Sequence, residues 1–332
     1  MIAATLKKMT VGHPSTFAGL SVYPLTGDPG GAPGYTVLDD ALRAGTARVT
    51  ETSESGSVPE LAFHNEGDRP VLVVDGEELA GAKQNRIVNL TILVPAKTKV
   101  VIPVSCVEAG RWASVSDKFD ATPQVMYARL RKCKSMSVSA AMAMSGSRMS
   151  NQGAVWDDIG QKQRELCSES PTARMTDTFE ENRAGLDDYV RNLPLVEGQV
   201  GAVFALGGRV SSLELFDSAE TLAKMWPKLV RSWALDALSL ANRPHDVQPV
   251  DAARALLDEV AAARVTEHEA LGLGKDLRFE GSGLSGGALV QDDRLVHLCV
   301  FRDEQGSDGG NGDDWTSWRS GRMARASRRR GA

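Results

Sequence analysis

The sequence is poor in the residues from which metal centres are built. It has 5 histidines and 4 cysteines among 332 residues. Cys106, Cys133, Cys167 and Cys299 lie far apart and form no C-x-x-C pair, so neither a zinc site nor a disulfide framework is expected. His268 sits between Glu267 and Glu269, a pattern that reads as a solvated face. No metal is assigned. Long hydrophobic runs are also missing: no stretch approaches the roughly 18 apolar residues that a membrane span needs. The first nine residues contain Lys7 and Lys8 and lack the apolar core of a signal peptide. Reduced thiols in a cytoplasmic protein are therefore expected. Phosphate loops are absent in the sense that matters. There is no G-x-x-x-x-G-K-[ST], and Gly281-Ser-Gly-Leu-Ser-Gly-Gly287 leads into a strand rather than a helix.

Charge is present in both signs. Lys and Arg number 38 and Asp and Glu 43, a net of -5, and the 42% apolar content excludes global disorder. The average hides an asymmetry. Residues 305–332 hold six arginines (319, 322, 325, 328, 329 and 330) against three aspartates (308, 313 and 314). The body before them is thus more acidic than the whole chain, which argues against a nucleic-acid surface there. The end, from about 303, reads as a disordered, Arg-rich tail. Trp315 and Trp318 beside Arg319–Arg330 make nucleic-acid stacking the less favoured alternative for it.

Periodicity predicts an α+β protein. A strand-rich N-terminal part, residues 1–115, is expected as a sandwich or partial barrel. It packs on a helical middle, 116–193, and a smaller mixed α+β part, 194–302, completes one globule. Ala47–Glu51 and Pro59–His64 read as strands, and Val71–Val74 as a strand buried on both faces. Ile87–Val94 and Lys99–Val107 form an expected hairpin around Pro95-Ala-Lys-Thr98. On its first arm Val88, Leu90, Ile92 and Val94 share one face, and Asn89 and Thr91 the other. Residues 122–193 read as helical, with Met126, Leu130, Cys133, Ala140, Ala141 and Met144 near one stripe. Val200–Leu206 and Arg209–Phe216 form a second hairpin at Gly207-Gly208. Asp217-Ser-Ala-Glu220 then resembles a capping box, opening a helix that Pro227 is expected to kink or restart. A weak echo relates Gly201–Phe216 to Gly286–Phe301, with Gly, Arg, Leu and Phe coinciding at four positions.

Chemistry concentrates in one segment, Asp75-Gly-Glu-Glu-Leu-Ala-Gly-Ala-Lys-Gln-Asn-Arg86. It supplies carboxylates, amides and cations directly after a buried strand, where sites are commonly placed. The hairpin returns the chain to Ser105-Cys-Val-Glu-Ala-Gly-Arg-Trp112, which adds Glu108, Arg111 and Trp112. Arginine pairs bidentately with phosphate, and tryptophan stacks on a planar base. If the site catalyses, Glu77 or Glu78 would be the general base, and Lys83 would stabilise negative charge with Arg111. Gln84, Asn85, Arg86, Glu108, Arg111 and Trp112 would bind ligand. Adjacent Glu77 and Glu78 would point to opposite sides of a strand.

These runs, Gly76–Ala96 and Ile102–Trp112, resemble the ARG and Rhodanese-Phosphatase-superfamily Associated Protein domain family, where ARG stands for ADP-ribosylglycohydrolase. The similarity extends to Val155-Trp-Asp-Asp158 and Gly208–Phe216, and so covers roughly residues 10–301. The family name records association with ADP-ribose and phosphatase chemistry, and the resemblance carries over no mechanism. It implies an NAD-derived or ADP-ribose-like small molecule as partner, with cations on the diphosphate and Trp112 on the adenine. A non-catalytic scaffold or partner-binding protein is the alternative. No cofactor, oligomeric state or membrane partner is assigned.

Overall fold

The structure is a computed structural model that describes residues 1–303 apart from 29–30, 54, 242–243 and 280–282. The Arg-rich tail expected beyond residue 303 lies outside the described residues.

Among the described residues, three sheets and eight α-helices build the α+β fold. The first sheet closes completely. Its strands run in the order Thr98–Cys106, Glu60–Asn65, Ala47–Glu51, Phe119–Val125, Glu77–Gly81 and Arg86–Val88, and the last pairs with the first. Closure leaves no free edge. Inward side chains alternate with outward ones, and Val49, Leu61, Phe63, Leu79, Val88, Ile102, Val104 and Phe119 fill the lumen as one apolar cluster. The expected partial barrel is thus a closed one.

The second sheet is antiparallel and lies beside the barrel. Its path runs Thr10–Val11, Leu20–Thr26, Gln199–Leu206, Arg209–Phe216, Arg294–Arg302, Leu284–Gln291, Lys275–Phe279 and Val265–Glu269, and Ser15–Phe17 pairs with Leu20–Thr26 off that path. One face packs on the helices Ile2–Lys7 and Val250–Ala262. The other packs on Ala219–Ala237, through residues such as Phe204, Phe216, Trp226 and Trp233. The N-terminal strands therefore join the C-terminal sheet. The barrel and the helical middle enter as an excursion between Thr26 and Gln199.

The weak sequence echo is a structural repeat. Glu214 pairs with Cys299 at the centre of the sheet, Leu213 with Val300 and Leu215 with Leu298. Glu214 thus faces its own counterpart in the echo, Cys299, and its neighbours pair crosswise, Leu213 with the counterpart of Leu215 and Leu215 with that of Leu213. The two hairpins share their register: Gly201 opposes Leu215 as Gly286 opposes Val300. Both break register at the same place, between Phe204 and Ala205 and between Leu289 and Val290. The flanking order of helix, edge strand and second strand is also repeated on each side. The sheet has pseudo-two-fold symmetry about the Glu214–Cys299 pair.

Several local expectations need correction. The Ile87–Val94 arm splits at Asn89. Arg86–Val88 stays in the barrel, and Ile92–Val94 leaves it to pair with Val71–Val73, which also takes Thr36–Val37 in parallel. Lys134 sits at the break, where its ammonium donates to the carbonyls of Val88 (3.0 Å) and Asn89 (3.1 Å). Residues 119–125 are a barrel strand, and the helix begins only at Ala128. In Ala128–Ser145 the buried stripe is Leu130, Lys134, Val138 and Met142, while Met144 is 87% exposed. Two buried cations, Arg131 and Lys134, set that rotation. Pro227 does not end its helix, which runs unbroken from Ala219 to Ala237. Ser218 rather than Asp217 is its cap, accepting from the Glu220 N–H at 3.2 Å. A mid-helix proline costs about 3 kcal/mol in isolation. Burial of Met225, Trp226, Leu229 and Val230 around it offsets that cost.

The repeat generates a prediction. A Cβ on Gly201 would lie 2.4 Å from the Glu214 carbonyl, and one on Gly286 2.2 Å from the Cys299 carbonyl. Backbone cannot yield cheaply inside a paired sheet. Gly201→Ala and Gly286→Ala should each lower the free energy of unfolding by about 3 kcal/mol in denaturant titrations. A loss below about 1 kcal/mol at either position would contradict the repeat as drawn.

Candidate functional site

The expected segment folds as a barrel strand, a loop and a second strand, and this geometry sorts its side chains into three environments. Glu77 and Glu78 face opposite ways, as their adjacency requires. Glu77 is buried, accepting from the Val74 N–H at 2.8 Å and from the Lys228 ammonium at 2.8 Å. Lys228 also meets Asp39 at 2.6 Å. Burial raises the Glu77 pKa, and the Lys228 charge opposes the rise. Glu78 is buried in the outer wall. It accepts from Thr176 (2.5 Å), Asn85 (3.1 Å) and Thr122 (3.2 Å), and burial raises its pKa too. No bond joins either carboxylate to Arg86.

The second environment is the brace of the 81–86 loop. Glu108 accepts from the Asn85 N–H (3.0 Å), Arg111 (2.6 Å) and Thr172 (3.0 Å). Burial pushes its pKa up, but the Arg111 and backbone bonds outweigh that and hold it below the usual value. Arg111 also donates to the carbonyls of Ala82 (2.6 Å) and Ala113 (2.9 Å). Gln84 donates to the Glu108 carbonyl at 2.9 Å.

The third environment is the barrel mouth. Arg86 precedes Val88 by two residues and so continues its inward-facing row. Cys106 continues the row of Ile102 and Val104 in the same way, and Glu51 that of Ala47 and Val49. The apolar lumen thus ends in a layer of polar side chains. Arg86 is 0% exposed. Its Nη1 donates to the Gln84 side chain (3.1 Å) and the Asn85 carbonyl (3.4 Å), while its Nε and Nη2 have no hydrogen-bond partner. Burial lowers its pKa. The Cys106 thiol donates to Gln84 at 3.1 Å, and burial raises its pKa, which disfavours a thiolate nucleophile. Trp112 is 49% exposed, with the Lys83 ammonium 5.5 Å and the Arg86 guanidinium 5.7 Å from its ring centroid. Trp156, 36% exposed, reaches the Cys106 thiol with its indole. Lys83 donates to the Ser55 carbonyl at 2.7 Å.

Sequence reasoning missed Glu51 and Trp156 in this mouth. It also missed a buried ionic cluster between barrel and sheet. Arg131 forks onto both Glu214 oxygens at 2.8 Å and reaches Asp75 at 3.1 Å, and Lys134 pairs with the other Asp75 oxygen. His297 lies 3.1 Å from Glu214 by Nε2 and 2.8 Å from Thr91 by Nδ1. Thr91 accepts from the Asp75 N–H at 3.0 Å, so its hydroxyl is free to donate to Nδ1. A cavity of about 20 Å³ lies between Asp75, Thr91, Asp276, Arg278 and His297. That is room for one water. The available signal was polarity inside apolar runs: Glu214 in Leu213–Phe216 and His297 in Leu295–Leu298. Among the described residues, no group of three His, Cys, Asp or Glu is arranged to hold a metal ion, and no helix is long and apolar enough to cross a membrane. The four cysteines are unpaired.

These features define a class: an α+β protein whose closed barrel is filled by apolar residues and carries a layer of buried polar side chains, Arg86 and Glu51 among them, at one end. The chain belongs to the ARG and Rhodanese-Phosphatase-superfamily-associated Protein domain family, whose model matches residues 8–301 and so includes the barrel and nearly all of the large sheet. No curated protein and no solved structure matches the chain.

The ionic cluster sets a pH dependence. Burial alone would raise the Glu214 pKa, but Arg131 and His297 hold it at about 2, below its ordinary 4.5. Its contribution to stability is complete above pH 4.5 and is lost as pH falls through about 2. Glu214→Gln should cost about 3 kcal/mol at pH 7 and flatten the acid limb of stability below pH 4.5. Urea titrations between pH 2 and 7 measure both, and parallel curves for the two proteins would refute the assignment.

Proposed function

We propose that the barrel mouth binds a phosphate-bearing, NAD-derived small molecule of the ADP-ribose type. One observation carries this reading: Arg86 is a fully buried cation with two donor nitrogens and nothing to donate to. Buried polar groups are nearly always bonded, and an orphaned guanidinium costs several kcal/mol. A phosphate oxygen pair fits its planar fork. Lys83 adds a second cation at the rim, and the exposed faces of Trp112 and Trp156 suit a planar base. The family name, with its reference to ADP-ribosylglycohydrolase, supports the same ligand class. In this reading Gln84 and Asn85 orient Arg86, and Glu108 and Arg111 brace the loop that carries all three. Four unpaired thiols suit a cytoplasmic setting.

The mouth reads as a binding site rather than a catalytic one. Glu77 and Glu78, the expected bases, are committed to Lys228 and to Thr176, Thr122 and Asn85. Those same bonds favour a purely architectural role for these two carboxylates, which is the scaffold alternative applied to part of the motif.

Arg86→Met separates ligand binding from architecture. Removing an unsatisfied buried charge should leave the unliganded protein as stable as before or raise its stability by about 1–2 kcal/mol. The wild-type protein should gain about 2.7 kcal/mol at ADP-ribose concentrations 100 times the dissociation constant, and the variant should gain none. Thermal melts with and without millimolar ADP-ribose read both effects. A wild-type melt unmoved by ADP-ribose and NAD would end this proposal.

A further inference from the structure

Facing Arg86 across the barrel mouth stands a second group with nothing to bond. Both carboxylate oxygens of Glu51 are sealed from solvent and have no hydrogen-bond partner. Glu51 is close enough for its charge to act on the Arg86 guanidinium, yet no hydrogen bond joins the two. Left to themselves, a buried arginine and glutamate would close into a fork-to-fork pair, which satisfies both at once. Here each is held back. Arg86 is tethered through Nη1 to Gln84 and the Asn85 carbonyl. Over Glu51 the chain turns at Gly56, with φ of +75°. A Cβ there would sit 3.2 Å from the Glu51 carboxylate and 3.1 Å from the Lys83 stem. The loop at Gly56 thus passes close to the carboxylate and the rim lysine together.

An unpaired donor fork on one strand of the barrel and an unpaired acceptor pair on the strand across the ring fit a ligand that offers both complements. A bare anion satisfies Arg86 but is repelled by Glu51. An ionised carboxylate can only accept, so the ligand must bring donors to it. We infer that Glu51 is a specificity residue that accepts hydrogen bonds from the hydroxyls of a ribosyl phosphate whose phosphate is held by Arg86. This rests on the ligand-binding reading of the mouth and narrows it: the site selects sugar phosphates with adjacent free hydroxyls over inorganic anions. Glu51 has no part in the apolar plug beneath it, so its charge serves the ligand and not the core.

The test is calorimetric titration of the full-length protein with ADP-ribose, ribose 5-phosphate and inorganic pyrophosphate. Wild type should bind the two ribosyl compounds and bind pyrophosphate at least about tenfold more weakly. Glu51→Gln removes the charge and one acceptor. It should lose about tenfold in affinity for the ribosyl ligands and gain affinity for pyrophosphate, reversing the preference. Glu51→Asp keeps the charge and should keep the preference, which provides a second readout should the glutamine variant fold poorly. If Glu51→Gln binds all three ligands as wild type does, or if wild type does not discriminate among them, the role of Glu51 is overturned while Arg86 still holds an anion. If wild type binds none of the three, or Arg86→Met binds them unchanged, the reading of the mouth itself fails.

Discussion

The bidentate contact between Arg131 and Glu214 is the joint on which this molecule is assembled. Arg131 comes from the helix that follows the barrel, Glu214 from the centre of the large sheet, and Asp75 from the entry to the barrel strand Glu77–Gly81. A buried charge is tolerated only where every partner is present. The cluster therefore permits one docking of barrel on sheet and penalises the rest. Lys134 extends the network by donating to the carbonyls of Val88 and Asn89, where the chain passes from the barrel towards the Ile92–Val94 strand that pairs with Val71–Val73.

The barrel mouth lies at the other end of the same chain of dependence. Asp75 leads directly into Glu77 and Glu78, whose buried bonds fix the strand that carries the loop to Arg86. Glu77 ties this strand to Lys228 on the helix that covers the sheet, and Glu78 ties it to Thr176 of the helical middle. Such anchoring places Arg86 and its neighbours on rigid elements. Orphaned polar atoms at Arg86 and Glu51 cost stability, and the surrounding bonds hold them in place against collapse.

Much of this was legible in the sequence, and the failures have physical causes. The Gly207-Gly208 hairpin, the buried Val71–Val74 run and the inward face of Leu222, Trp226, Leu229, Val230 and Trp233 follow from periodicity, because apolar burial alone decides them. The long motif and its family resemblance located the polar segment. What failed was anything decided by charge burial. The stripe of Ala128–Ser145 was read from apolar residues, whereas Arg131 and Lys134 face inward and Met144 faces water. The split of the Ile87–Val94 arm falls where Lys134, some forty residues away, meets the chain. Glu51 gave no local signal, since a carboxylate at the end of a strand looks solvated until the barrel closes around it. The helix does not restart at Pro227, because propensity is local and the burial that overrides it is not.

The pseudo-symmetric sheet has a consequence for how the barrel is attached. Thr26 and Gln199 are backbone partners in adjacent strands, so everything from residue 27 to 198 leaves and re-enters through one doorway. In the second half of the sheet the equivalent strands, Lys275–Phe279 and Leu284–Gln291, are only four residues apart in sequence, and the barrel lies within the longer connection of the first half. Any change that lengthens or replaces it meets the sheet at a single pair of neighbouring residues.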